Sequence, residues 1–334
     1  MTRFGACILS CDGPRLTENE KALFADVKPL GFILFARHVE TPDQIRALCA
    51  EMREAAGHDA LITIDQEGGR VQRLTGPTWR DWHPPLDDVT RASDPIRAMY
   101  IRSRIIAHEL HALGIDSNCA PTLDIIQPGT HPFLRNRCYG SDPEKVSAIG
   151  RAVTDGFLDG GVLPVMKHMP GHGRSKVDTH FDLPKVTEPQ TELSQTDFAP
   201  FRALNDLPLG MTAHLVFQDI DDAPATLSPK MIETIRTDIG FDGLLMTDDI
   251  SMQALSGTLA ERSKASIAAG VDVILHCNDT FEDRVAVAEG AGQISDAGQA
   301  RADAAFAPRK PPNDIDIPAL EAELEALLGG PIYV

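Results

Sequence analysis

The sequence is short of positive charge, of long apolar runs and of paired cysteines, and each shortage closes off a class of function. Its 334 residues carry 31 Lys and Arg against 49 Asp and Glu, a formal charge of −18. A surface of that sign repels nucleic acid and anionic membrane, so neither is expected as a partner. No apolar run reaches the ~20 residues that a bilayer-spanning helix needs. The opening residues, MTRFGACILSCDG, lack a charged segment leading into a long apolar one with a small-residue cleavage site, which predicts no secretory signal. The six cysteines include no C-x-x-C pair. Cys7, Cys119 and Cys277 lie inside apolar runs, where small buried thiols account for them without disulfides or zinc. The cytoplasm is the expected location. Repeats of solenoid period and low-complexity tracts are also missing.

What is there is a soluble composition, 43% hydrophobic and 24% charged, in a chain long enough for one large domain or two ordinary ones. Eight short runs are apolar on both faces, as in strands of a buried parallel sheet. They are ACILS from Ala6, GFILFA from Gly31, ALITID from Ala60, DSNCAPTLD from Asp116, VLPVMKH from Val162, LGMTAHLVF from Leu209, GLLMTDD from Gly243 and DVILHC from Asp272. Amphipathic segments with helix start and stop residues lie between them. One begins at Thr41, one runs from Ser93 to Gly114 and one begins at Ser141. A fourth has Ser228 as N-cap, Pro229 at the first helical position and Gly240 as the stop. This alternation predicts an α/β fold, a (β/α)8 barrel. A doubly wound sheet would be favoured by an early G-x-G-x-x-G turn, and none is present. Residues 1–310 are expected to form the single barrel domain. The proline-rich and then acidic stretch 311–334 is expected to pack outside it. PGTHPFLRNRCYGSDPEK, from Pro128, reads as a long polar loop, a feature that is usually functional in compact domains.

A barrel gathers its chemistry at the C-terminal ends of its strands. Those ends carry Asp65, Glu67, Arg70 and Arg73 after the third run, and Asp124 with Arg135 and Arg137 after the fourth. Lys167 and His168 follow the fifth run, His214 the sixth, Asp248 and Asp249 the seventh, and His276 the eighth. Each alone has a structural explanation: His214 or His276 as a hydrogen-bonded packing residue, Asp124 as a cap or ion-pair partner, Asp249 at the start of a helix. Together at one barrel mouth they point to chemistry, because burying so many charges is costly.

Three chemistries fit the segment KHMPGHGRSKVDTH, Lys167 to His180. His168, His172, Asp178 and His180 are metal-ligand types, but Pro170 and Gly171 rule out a helical H-x-x-x-H site. Gly171 and Gly173, with Lys167, Arg174 and Lys176 nearby, suit an anion nest. Glycoside hydrolysis needs a carboxylate on one face of the sugar and a proton donor on the other. Asp248 suits the first role. Asp178 and His180, two apart on an extended segment, suit the second, with the carboxylate fixing the imidazole tautomer.

The segments DQEGGRVQRL, KHMPGHG, VDTH, MTAHLVF and FDGLLMTDDISM, in that order, resemble the bacterial β-N-acetylglucosaminidases of glycoside hydrolase family 3, the single-domain cytoplasmic type that recycles cell-wall fragments. The resemblance implies a retaining β-N-acetylhexosaminidase with Asp248 as nucleophile, His180 as general acid/base and Asp178 polarising it. It implies that Asp65, Arg73, Arg137, Lys167 and His168 bind the non-reducing GlcNAc, and that no metal or organic cofactor is used. The implied substrate is GlcNAc-1,6-anhydro-N-acetylmuramic acid, with or without stem peptide, taken by a monomer. The family commonly has Phe where this chain has Met169 and Ser where it has Thr179; neither change removes a catalytic group. A phosphorylase using the same Asp-His pair is the enzymatic alternative. A metal-dependent barrel hydrolase and a sugar-binding protein without catalysis are the alternatives of other classes.

Overall fold

The structure is a computed structural model and describes residues 3–176, 183–278 and 280–334. The described strands are β1 (Gly5–Leu9), β2 (Pro29–Leu34), β3 (Leu61–Ile64), β4 (Ser117–Asn118), β5 (Leu163–Met169), β6 (Lys185–Val186), β7 (Leu209–Thr212), β8 (Val216–Phe217), β9 (Leu244–Met246) and β10 (Ile274–Leu275). Eight of them pair in parallel in the order β10-β1-β2-β3-β4-β5-β7-β9, and a parallel bridge between Met246 and Val273 joins the two ends. The result is a (β/α)8 barrel whose strands are those of the eight apolar runs. Strands buried on both faces leave no room for alternation, so they appear as short continuous hydrophobic stretches. β6 and β8 were not expected: they form a separate two-stranded parallel ribbon outside the barrel order.

Helices fill the intervals, and their first turns explain where they start. Thr41 caps Pro42–Ala56 by accepting from the Gln44 N–H, and Gly57 closes it in the left-handed conformation. Ser228 caps Pro229–Thr237 through the Met231 N–H. In Pro95–Ala112 and Pro143–Asp159 the capping oxygens come from Asp94 and Asp142, the residues directly before the prolines. Such a cap contributes about 1 kcal/mol. The loop from Pro128 holds a one-turn helix, Pro132–Arg135. In the tail, helix Ile317–Leu328 lies against Pro95–Ala112, where Arg97 grips Glu323 with two hydrogen bonds of 2.7 and 2.8 Å. Beyond it, Tyr333 pairs with Trp82 in an antiparallel bridge.

All six cysteines are buried and unbonded to one another. Burial pushes the thiols of Cys7, Cys49 and Cys119 up to about 12. Among the described residues no helix is long and apolar enough to cross a membrane.

Candidate active site

Strand ends from around the barrel meet at a cavity of about 230 Å3, lined among the described residues by Asp65, Arg73, Arg137, Lys167, His168 and Asp248, with His172, Asp249, Phe35 and Met252 beside them. Eight of the thirteen strand-end residues named from the sequence therefore share one space: these six, Arg70 and Asp249. Arg135, by contrast, is exposed and lies off the cavity, while Arg137 enters it. His276 is buried but does not line it. Asp178 and His180 lie outside the described residues.

The segment after β3 shows how the sequence builds one wall. The Gln66 side-chain oxygen accepts from the N–H groups of Arg73 and Leu74, while its amide donates to the Leu74 carbonyl, so the chain folds back on itself. Gly68 has a φ of 103°, and a Cβ there would stand 1.9 Å from the Arg102 guanidinium, which donates to the Glu67 and His83 carbonyls. Only glycine leaves that space. The fold-back returns Arg73 to Asp65 at 3.0 Å.

From there an ion-pair network runs across the wall. Lys167 reaches Asp65 at 2.9 Å and Glu67 at 2.6 Å. Arg137 grips Glu67 with two hydrogen bonds of 2.8 and 2.9 Å. Burial pushes Asp65 up, but the Lys167 ammonium and the Arg73 guanidinium outweigh it and hold the carboxylate well below its usual range. Glu67 is likewise pushed up by burial and brought down to about 2 by Arg137 and Lys167. Burial works against the Lys167 ammonium, yet Asp65 and Glu67 raise its pKa above the ordinary lysine value. Every charge here sits beside its counter-charge, and the buried ones, Glu67 and Lys167, meet the condition under which buried ions are tolerated.

Asp124 anchors the next step. The chain beyond β4 keeps company with β5, with Lys167 N–H on the Pro121 carbonyl and Leu123 N–H on the Lys167 carbonyl, so Asp124 arrives beside His168. Its carboxylate meets His168 Nδ1 at 2.7 Å and accepts the His172 N–H at 2.6 Å. Arg137 stands 3.3 Å from His168 Nε2. A guanidinium only donates, so Nε2 accepts and the proton sits on Nδ1. His172 is buried with both ring nitrogens unbonded among the described residues, and burial followed by the neighbouring His168 brings its pKa down to about 3. It is therefore a neutral imidazole near pH 7.

The glycine-rich segment itself is explained by a close approach. A Cβ on Gly173 would lie 1.8 Å from the Ile125 carbonyl oxygen. That packing uses up the features of an anion nest. The N–H groups of Gly171, His172 and Ser175 bind His168, Asp124 and His172, and Arg174 is paired with Glu188, Glu192 and Asp197. The helical argument against a metal site also meets a different geometry. Without any helix, Asp124, His168 and His172 bring one ligand atom each within 4.8 Å of one another, and these are the residues that could hold a cation.

The opposite wall is β9. Asp248 follows the buried strand, and its Oδ1 accepts the Asp249 N–H at 2.8 Å. Burial raises its pKa, but His168, then His214, the Asp249 N–H and Lys167 bring the net shift below the ordinary value, so the carboxylate is ionised. Sequence reasoning left Glu67, Asp124, Asp249 and His214 without a role at this site. The spacing of charges at strand ends singled them out, yet their partners lie as far away as Lys167 is from Glu67 in the chain.

Such a pocket pairs an ionised carboxylate on one wall with a dense array of hydrogen-bond donors and acceptors on the other, the equipment for a polyhydroxylated ring. Known proteins agree. The glycosyl hydrolase family 3 N-terminal domain matches residues 7–305. A β-hexosaminidase of Alkalilimnicola ehrlichii is 36% identical over 282 residues, 82% of this chain and 81% of that protein. Among solved structures, native NagZ from Neisseria gonorrhoeae superposes with a TM-score of 0.84 at 29% identity, covering 98% of this chain and 96% of that one. NagZ of the same organism in complex with N-trifluoroacetyl-D-glucosamine gives 0.82 at 30% identity, covering 98% and 97%. This chain belongs to glycosyl hydrolase family 3 and is a glycoside hydrolase.

Proposed function

We propose that the protein is a retaining β-N-acetylhexosaminidase that removes non-reducing terminal β-1,4-linked GlcNAc from muropeptides such as GlcNAc-1,6-anhydro-N-acetylmuramic acid, acting in the cytoplasm as a monomer. The observation that carries the reading is Asp248, a half-buried and ionised carboxylate at a strand end, lining a cavity whose other wall is a fixed array of polar groups. In this mechanism the sugar ring rests against Asp65, Arg73, Arg137, Lys167 and His168. Asp248 Oδ2 attacks the anomeric carbon as the bond to the leaving oxygen breaks, and that oxygen takes a proton from His180. In the second step His180 removes a proton from water, the water oxygen bonds to the anomeric carbon and the Asp248 ester bond opens, which gives net retention. Asp178 orients the imidazole of His180. Both residues enter from the resemblance of VDTH to the family.

A second carboxylate–imidazole pair, Asp124–His168, competes for the proton-donor role on geometry alone. Its Nε2 accepts from Arg137 and so has no proton to hand over. Hence the assignment to His180. Water rather than phosphate is the acceptor in this reading, because Lys167 and Arg174, two of the three cations of the glycine-rich segment, are already paired with carboxylates.

The test is release of an aryl leaving group from a β-N-acetylglucosaminide beside the matching β-glucoside. Selective cleavage of the former is expected, and Asp248→Asn should lower turnover by at least ~1000-fold while sugar binding stays measurable. Substantial turnover in that variant would mean the nucleophile lies elsewhere. His180→Ala should slow a poor leaving group by ~100-fold or more and an activated aryl group far less. Product analysis in phosphate buffer separates free GlcNAc from GlcNAc-1-phosphate.

A further inference from the structure

We infer that His214 is a positioning residue: a one-directional chain of hydrogen bonds, Thr212 to Thr226 to His214 to the Asp249 carbonyl, fixes the backbone behind Asp248 and so aims its Oδ2 at the anomeric carbon. The inference rests on the proposed role of Asp248 as nucleophile.

The direction of the chain follows from what each group can do. His214 is completely buried, with Nε2 2.9 Å from the Asp249 carbonyl oxygen and Nδ1 2.8 Å from Thr226 Oγ1. A carbonyl oxygen only accepts, so Nε2 carries the proton and Nδ1 is the acceptor. Thr226 must then turn its single hydroxyl proton to Nδ1 at 2.8 Å, with the Ala213 carbonyl at 3.1 Å as the longer, second acceptor. It has none left for Thr212 Oγ1 at 2.8 Å, so Thr212 donates to Thr226. No member can reverse its role without breaking the bond to the next. Burial lowers the pKa of His214 and keeps it neutral, despite the pull of Asp248 nearby.

Asp249 is what the chain acts on. Its N–H holds Asp248 Oδ1, its carbonyl takes the His214 proton, and its carboxylate accepts from Ser251 N–H at 3.1 Å, Ser251 Oγ at 2.8 Å and Cys277 N–H at 3.2 Å. The residue after the nucleophile is thus gripped from β7, β10 and its own turn. Oδ1 of Asp248 is occupied by that grip, Oδ2 accepts no hydrogen bond among the described residues, and the residue lines the cavity. Misplacing a reacting atom by about an ångström costs ~100-fold in rate, so a fixed backbone here has direct leverage on turnover.

The test compares His214→Leu, His214→Gln and Thr226→Val on two aryl β-N-acetylglucosaminides, one with a good and one with a poor leaving group. Asp248→Asn is measured alongside. Glutamine can donate to the Asp249 carbonyl and accept from Thr226; leucine can do neither. The expected result is a kcat lower by ~10- to 100-fold in His214→Leu on both substrates, with KM and inhibition by GlcNAc within about twofold of the parent. His214→Gln should recover most of that loss, and Thr226→Val should lower kcat by a smaller factor. Equal losses in the Gln and Leu variants, a loss confined to the poor leaving group, or a change carried by KM would each overturn the inference. Should His214→Leu fail to fold, Thr226→Val decides: a reduced kcat at constant KM supports the chain, an unchanged kcat overturns it. Turnover in Asp248→Asn would defeat the nucleophile assignment itself. An inactive Asp248→Asn beside a fully active His214→Leu would defeat only the positioning role.

Discussion

The two walls of the cavity solve the problem of buried charge in opposite ways. On the wall built from the ends of β3, β4 and β5, the three carboxylates Asp65, Glu67 and Asp124 stand against Arg73, Arg137 and Lys167, so these charges cancel within the protein. On the β9 wall, Asp248 has no ion pair among the described residues and is held by one backbone N–H, with neutral His214 behind it. Self-cancelling ions give rigid hydrogen-bonding geometry without a strong field, which suits recognition of a neutral sugar. A carboxylate without a bonded cation keeps its electron pair available, which suits attack on carbon. In the proposed mechanism the difference separates a binding surface from a reactive one within a single pocket.

The widest contrast should come from one substitution on each wall. Lys167→Met leaves two buried carboxylates short of their shared ammonium and should destabilise the fold by ~3–5 kcal/mol in denaturant titration. Asp248→Asn, which breaks no ion pair among the described residues, should change stability by less than ~1 kcal/mol while abolishing turnover. Similar stability losses in the two variants would erase the distinction.

Acid should expose the binding wall in stages. Glu67 has its folded pKa depressed to about 2, so its contribution is present above the unfolded carboxylate pKa and is lost as pH falls from there through the folded value. His172, depressed to about 3, is neutral in the fold and protonates more readily when unfolded, so stability also falls below the ordinary histidine range. In denaturation measured near pH 5, His172→Phe should reduce proton uptake on unfolding by about one. An unchanged slope would mean that His172 is not a buried neutral imidazole.

Smaller effects sharpen the edge of the wall. Arg137→Ala should raise KM by about tenfold or more, the scale of a hydrogen bond to a charged group, whereas exposed Arg135→Ala should leave KM within about twofold. Reversal of that order would move the sugar toward the rim. A chelator should leave the rate unchanged; strong inhibition would assign a functional cation to Asp124, His168 and His172.

Much of this was legible in the sequence because barrel strands are short, doubly buried and end in polar residues. The eight runs and their terminal charges marked both architecture and pocket, and Thr41 and Ser228 marked helix starts. What stayed hidden depends on contacts between distant segments. Nothing near Gln66 reveals that its amide closes the Asp65–Leu74 segment, and nothing near His214 reveals that Thr226 fixes its tautomer. The separation of His168 and His172 by Pro170 and Gly171 argued correctly against a helix, yet Asp124 draws the two together from the end of the neighbouring strand. Pro132–Arg135 is a single turn with no periodicity to detect. β6 and β8 are two residues each, too short for any pattern.

The burial of all six thiols makes the native chain its own unreactive background for chemical labelling. A cysteine placed at exposed Lys176 would be the one accessible thiol available to a dye, directly beside the Val177–Asp182 segment that carries Asp178 and His180. Fluorescence from that position, followed as GlcNAc is added, would turn an inert feature of the core into a reporter of how the proposed proton donor responds to sugar.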